Sequence, residues 1–103
     1  MLVVNRFRAA PDDAEFRSAL EAALAVLASR EGYLDGSVGR NVDEPDLWVL
    51  VTRWRDVGSY RRALSSYDVK LGAVPVLTRA LDEPSAYEIV EGELNTALPR
   101  SLG

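Results

Sequence analysis

Histidine and cysteine are both absent from this 103-residue sequence. Lack of histidine removes the commonest general base, the commonest metal ligand and every Ser-His or Cys-His nucleophile pair. Lack of cysteine excludes disulfides and thiolate chemistry, and it fits a cytoplasmic location. Neither a zinc cage of His or Cys ligands nor a histidine-ligated haem can be assembled from such a chain. Carboxylates remain as metal ligands, but their spacing matches no calcium loop. No glycine-rich phosphate motif occurs; Gly36 and Gly39 fall in a stretch that reads as a strand, where they suggest a bulge. Long apolar runs are missing too, and nothing approaches the roughly 20 residues of a transmembrane helix. The first residues, with Asn5, Arg6 and Arg8, are too polar for a signal peptide. A formal net charge of −4 argues against a nucleic-acid partner, because such proteins carry a basic patch. Arg61-Arg62, the one adjacent basic pair, reads as a solvated helix face.

What is present has the balance of a soluble globular domain, with 48% hydrophobic and 27% charged residues. The length suits one domain with a modest core. Its most apolar stretch is Leu47 to Arg55, Leu-Trp-Val-Leu-Val-Thr-Arg-Trp-Arg, which follows the turn-like Asp43-Glu44-Pro45-Asp46. Side chains alternate along a strand, so Leu47, Val49, Val51 and Arg53 share one face and Trp48, Leu50, Thr52 and Trp54 the other. Both faces are mostly apolar, so this strand belongs in the middle of a sheet covered on both sides.

Around it the chain divides into further elements. Leu2 to Arg8 reads as a first strand, with Val3, Asn5 and Phe7 on one face. Asp12, with Glu15 completing a box-like pattern, is the expected cap of a helix. That helix carries Phe16, Ala19, Leu20, Ala23, Leu24 and Leu27 as its inner stripe, and Gly32 is the expected stop. Tyr33 to Val42 forms a hairpin with the central strand. Asp56 suits the cap of a second helix whose inner stripe is Tyr60, Ala63, Leu64 and Tyr67, and the pattern breaks around Gly72 and Pro75. Ser85 to Val90 reads as a fourth strand. Residues 1–92 thus form one domain, and the tail 93–103, with little periodicity, is expected to be mobile.

The order β-α-β-β-α-β is the split pattern of an α+β, ferredoxin-like fold with a four-stranded antiparallel sheet. Two helices cover one face of that sheet. Leaving Leu47, Val49 and Val51 in water on the other is opposed by roughly 1.5–3 kcal/mol per side chain. A second copy of the sheet is the simplest cover, so a homodimer is expected through this face. Arg6 and Arg53 share it, with Glu88 expected to relieve their repulsion.

Asn5-Arg6-Phe7, Val51-Thr52-Arg53-Trp54-Arg55-Asp56 and the helix with Tyr60, Leu64 and Ser65-Ser66 resemble an antibiotic biosynthesis monooxygenase domain over about residues 1–92. The resemblance implies a dimeric α+β barrel with a pocket between sheet and helices in each protomer. It also implies oxygenation of polycyclic aromatic substrates without metal or flavin, action on quinols, or, in one branch, haem degradation. The haem branch is similar at Asn5 and Trp54, but its iron-ligating histidine falls near Ala73, so no haem and no other cofactor is expected. By strand parity and by the family's pocket, Asn5 and Trp54 both face the helices.

For each candidate a plainer role stands beside the chemical one. Trp54 is a pocket wall or simply a large core side chain. Asn5 binds substrate or satisfies backbone groups. Tyr60 and Tyr67 line a cavity or belong to the core stripe. Arg53 reads as an interface ion pair and Trp48 as core. Two functions follow from these alternatives. One is an oxygenase of a flat phenolic or quinone-like molecule, with Asn5 and Trp54 catalytic and Tyr60 and Tyr67 substrate-binding. The other is a non-catalytic dimeric module that binds a small molecule or plays a structural part.

Overall fold

The computed structural model describes residues 1–91; the tail expected to be mobile lies outside the described residues. Eight elements follow in order: β1 (Leu2–Arg8), α1 (Ala14–Ala28), β2 (Tyr33–Arg40), β3 (Leu47–Trp54), α2 (Val57–Ser65), α3 (Tyr67–Gly72), α4 (Val74–Leu77) and β4 (Ala86–Tyr87). The strands form an antiparallel sheet in the order β2-β3-β1-β4, which puts the apolar β3 at its interior. The expected α+β, ferredoxin-like arrangement is what forms, with the second helical region in three pieces.

The first helix is capped by Asp13, one residue later than expected, because a turn closed by Asp13 N–H on the Ala10 carbonyl uses up Pro11 and Asp12. The Asp13 carboxylate accepts from the Phe16 N–H at 2.9 Å. Phe16, Leu20, Ala23 and Leu27 then pack on Val3, Phe7, Trp48, Leu50 and Trp54, all of them buried. The Phe16 ring meets both Phe7 and Trp48 edge-on with centroids 5.5 Å apart, a geometry favoured by the ring quadrupoles. Trp48 is core, as its pattern implies.

Three local departures have physical causes. Ser66 takes an extended backbone, caps α3 by accepting from the Val69 N–H, and so ends α2 before Tyr67. The spacing from Tyr60 to Tyr67 is therefore not a helical one, and Tyr67, expected in the inner stripe, is 74% exposed. Ser59 joins Ala63, which was expected there, on the core side of α2. The bulge in β2 falls at Leu34, between Tyr33 and Asp35, not at the glycines. Gly36 has a different reason: a Cβ there would lie 2.8 Å from Leu24 of α1 and 2.9 Å from the Val51 carbonyl, so only glycine lets α1 approach. Finally, β4 pairs only Leu2 with Tyr87 and Val3 with Ala86, far short of Ser85 to Val90.

On the far face of the sheet, Leu2, Val4, Val49 and Val51 are half-buried, whereas Leu47, expected to be left in water there, is buried within the single chain at 9% exposure. Arg6 is relieved there by Glu83, in a two-pronged pair at 2.6 and 2.7 Å, and not by Glu88. That partnership raises the Arg6 pKa and holds the Glu83 carboxyl below its usual range. Arg53 reaches Asp35 at 4.0 Å.

Gly32 has a φ of +90°, and a Cβ on it would stand 2.3 Å from the buried Ser59 side chain. Gly32→Ala is expected to lower stability by roughly 2–4 kcal/mol through left-handed strain and overpacking together. A thermal melt indistinguishable from that of the unsubstituted protein would refute this.

Candidate functional site

Where β3 runs out and α2 begins, the chain encloses an open cavity of about 780 Å³. Asp56 makes the transition: its carboxylate accepts from the Ser59 N–H at 2.7 Å and starts the helix. That bond first, then the Ser59 hydroxyl and Arg55, hold the Asp56 carboxyl below its usual range. From this cap α2 presents Val57, Tyr60, Arg61 and Leu64 to the cavity, positions three and four apart on one helical stripe. The opposite wall is Ala86 to Ile89 with Glu91, and the mouth is bordered by Leu34, Arg53 and Arg55.

Trp54 backs this space. Its indole N–H donates to the Thr52 hydroxyl at 2.9 Å, which fixes the ring and satisfies its one donor. Tyr33 and Tyr60 flank it, each with its ring centroid 5.5 Å away. Trp54 itself is 0% exposed, so the aromatic surface that meets the cavity is that of half-buried Tyr60 on α2 and of Tyr87 on the opposite wall. Burial raises the Tyr60 pKa, so its hydroxyl is a hydrogen-bond donor at neutral pH and not a base.

Of the residues singled out from the sequence, the fold brings together Trp54 and Tyr60. Asn5 shares their side of the sheet, since its cross-strand partner is the buried Leu50. It is not on the cavity wall, however. Leu50 precedes Trp54 by four residues on β3, which separates Asn5 from Trp54 by about 13 Å along the sheet. Asn5 is half-buried, while its neighbours on that face, Val3 and Phe7, are 1% and 0% exposed. Tyr67 is outside the cavity, on the surface of α3.

Sequence reasoning missed Val57, Arg61, Leu34 and the whole second wall. The expected stripe of Tyr60, Ala63, Leu64 and Tyr67 held only Tyr60 and Leu64 of this wall, and a serine at position 59 does not advertise a core position. Nothing local announces that a bulge carries Leu34 to the mouth, or that Glu88 and Glu91 face α2. Three carboxylates, on Asp56, Glu88 and Glu91, therefore border a space in which none was foreseen.

Comparisons with known proteins bear on the fold and the family. The sequence matches no curated protein. Among solved structures, the chain is similar to SnoaB, a cofactor-independent oxygenase from Streptomyces nogalater, at 26% identity and a TM-score of 0.67 over 86% of this chain and 94% of that one. It shares its fold with Rv0793 from Mycobacterium tuberculosis, at 21% identity and a TM-score of 0.66 over 89% and 97% of the two chains. A conserved protein from Methanosarcina mazei Go1 superposes with a TM-score of 0.65 at 23% identity, over 82% and 84%. The family model for antibiotic biosynthesis monooxygenases matches residues 1–72, from β1 to the end of α3. That stretch holds Asn5, Trp54 and the α2 wall, while the Ala86 to Glu91 wall lies beyond it. This chain belongs to the antibiotic biosynthesis monooxygenase family.

Proposed function

We propose that the cavity binds a flat phenolic or quinone-like aromatic molecule and exposes it to dioxygen, as a monooxygenase that uses neither metal nor flavin. The observation that carries the reading is the Tyr60 ring, backed by Trp54 and facing an open cavity. Family membership and the likeness to a cofactor-independent oxygenase support it.

An electron-rich phenol, once deprotonated, can pass an electron to dioxygen by itself. Recombination of the two radicals forms a peroxide, and loss of water from it leaves a carbonyl. In sum, the ring methylene of the keto tautomer and one dioxygen molecule become a ring carbonyl and one water. One oxygen atom ends in the product and the other in that water. The protein then has only to bind, orient and stabilise developing charge. In this reading Tyr60 stacks on the rings, and Trp54 holds Tyr60 in place. Asn5 offers its amide to the far end of a polycyclic substrate. Glu88, with no ion pair or hydrogen bond among the described residues, takes the substrate proton; Asp56, already engaged as a cap, is the weaker base. Tyr67 contacts only a substrate long enough to project from the cavity.

An amide aimed at an oxyanion in a dry site contributes roughly 3 kcal/mol to the transition state. Asn5→Ala is therefore expected to cut oxygen uptake with an anthrone-type substrate about a hundredfold. The fold should persist, because Asn5 is only half-buried. Unchanged uptake in a folded Asn5→Ala protein would sink the role given to Asn5.

A non-catalytic binding module is the second reading, favoured by the complete burial of Trp54 and the absence of Asn5 from the cavity wall. Binding of the aromatic molecule without any oxygen consumption would select it.

A further inference from the structure

From sequence Arg61 and Arg62 look alike, a basic pair on a solvated helix, but the fold separates them. Arg62 donates to the Ser59 hydroxyl at 3.3 Å and is held against its own helix. Arg61 stands on the cavity wall within the otherwise uncharged stripe Val57, Tyr60, Leu64. The other cations at this cavity have partners, the Met1 amino group donating to the Trp54 carbonyl at 2.9 Å. Arg55 donates to Ser59 at 3.1 Å and pairs with Asp56 at 3.4 Å and Glu31 at 3.7 Å, and Arg53 reaches Asp35 at 4.0 Å. Arg61 has no ion pair and no side-chain hydrogen bond among the described residues. It is one helical position from Tyr60, beside the aromatic surface of the site.

We propose that Arg61 is the specificity-determining residue of this cavity and selects aromatic molecules that carry one acidic group, a carboxylate or an ionised phenol, at one end. A guanidinium offers a planar fork of donors that matches a carboxylate, and it remains charged at any working pH. Glu88 and Glu91 on the opposite wall repel a second acid, so the ligand is a monoanion whose charged end lies toward α2. With its acid on Arg61, the adjoining ring falls on Tyr60 and the rest of the molecule runs toward Glu88. The inference rests on the aromatic-binding reading of the cavity but not on catalysis, and it gives that reading an orientation.

The test compares two probes of one shape, anthraquinone-2-carboxylate and anthraquinone-2-carboxamide, by equilibrium dialysis against the full chain. The carboxylate is expected to bind about fivefold to tenfold more tightly than the amide, the size of one well-formed but partly solvated pair. That preference should shrink as salt is raised. Arg61→Gln should abolish the preference while leaving amide affinity unchanged, and Arg62→Gln should leave both affinities as they are. Arg61 is exposed, so its replacement should not unfold the protein, and circular dichroism checks this. Equal binding of the two probes by the unsubstituted protein, or the same loss in Arg62→Gln as in Arg61→Gln, overturns the assignment to Arg61. If neither probe binds, the aromatic-site reading itself fails, which is a different result from binding without preference.

Discussion

Trp54→Ala is expected to lower the unfolding free energy by roughly 3–5 kcal/mol, a large share of the stability of a domain this size. The indole is 0% exposed and wedged between Tyr33 and Tyr60. Its removal leaves a void that β3, held on both sides by its neighbours, cannot close. It also takes away the N–H that the buried Thr52 hydroxyl accepts. Denaturant unfolding followed by circular dichroism reads the loss directly, and a cost under about 1 kcal/mol would contradict the packing described. Trp54→Phe separates stability from function. It keeps an aromatic ring behind Tyr60 while giving up the hydrogen bond and part of the volume, so the protein should fold. If Trp54 serves the site by positioning Tyr60, Trp54→Phe should weaken aromatic binding by more than its modest stability loss explains. Unchanged binding would leave Trp54 a core residue and nothing more.

The second large effect is expected at Val51→Glu. Leu2, Val4, Val49 and Val51 form an apolar patch on the sheet face away from the helices. We propose that a second copy of the chain covers it, the arrangement that family membership also favours. Val51 is the most telling position because its cross-strand partners are Val4 and Ser37, neither of them a cation. Val49, by contrast, pairs with Arg6, which would soften a new negative charge. Arg6 and Arg53 are in any case engaged by Glu83 and Asp35. A carboxylate buried at position 51 without a partner costs about 3–5 kcal/mol, enough to weaken association by about two to four orders of magnitude. Sedimentation at micromolar concentration should give dimers for the unsubstituted chain and monomers for Val51→Glu. Monomers in both cases would remove the dimer from the account.

The sheet and its two sides were legible in the sequence because strand alternation is a strictly local signal. Trp48, Leu50, Thr52 and Trp54 face the helices, and Val49 and Val51 face away, as period-two reading of Leu47 to Arg55 requires. The stripe of α1 was equally plain, since Phe16, Leu20, Ala23 and Leu27 repeat at helical spacing and all are buried. The family, too, could be identified from short runs on β1, β3 and α2. These features depend on neighbours in the chain, and neighbours are what a sequence displays. Tertiary structure decided the rest. Whether Ser66 continued α2 or capped a new helix depended on a competition between a helical backbone and a side-chain cap, and the outcome moved Tyr67 to the surface. Glu83 rather than Glu88 became the partner of Arg6 because β4 is only two residues long, a consequence of long-range pairing with β1. The cavity joins the end of β3 and one stripe of α2 to the segment around β4, which lies far along the chain from both. A site made of such distant pieces has no local signature, so its aromatic floor could be read from Leu47 to Arg55 and Tyr60, while its charges could not.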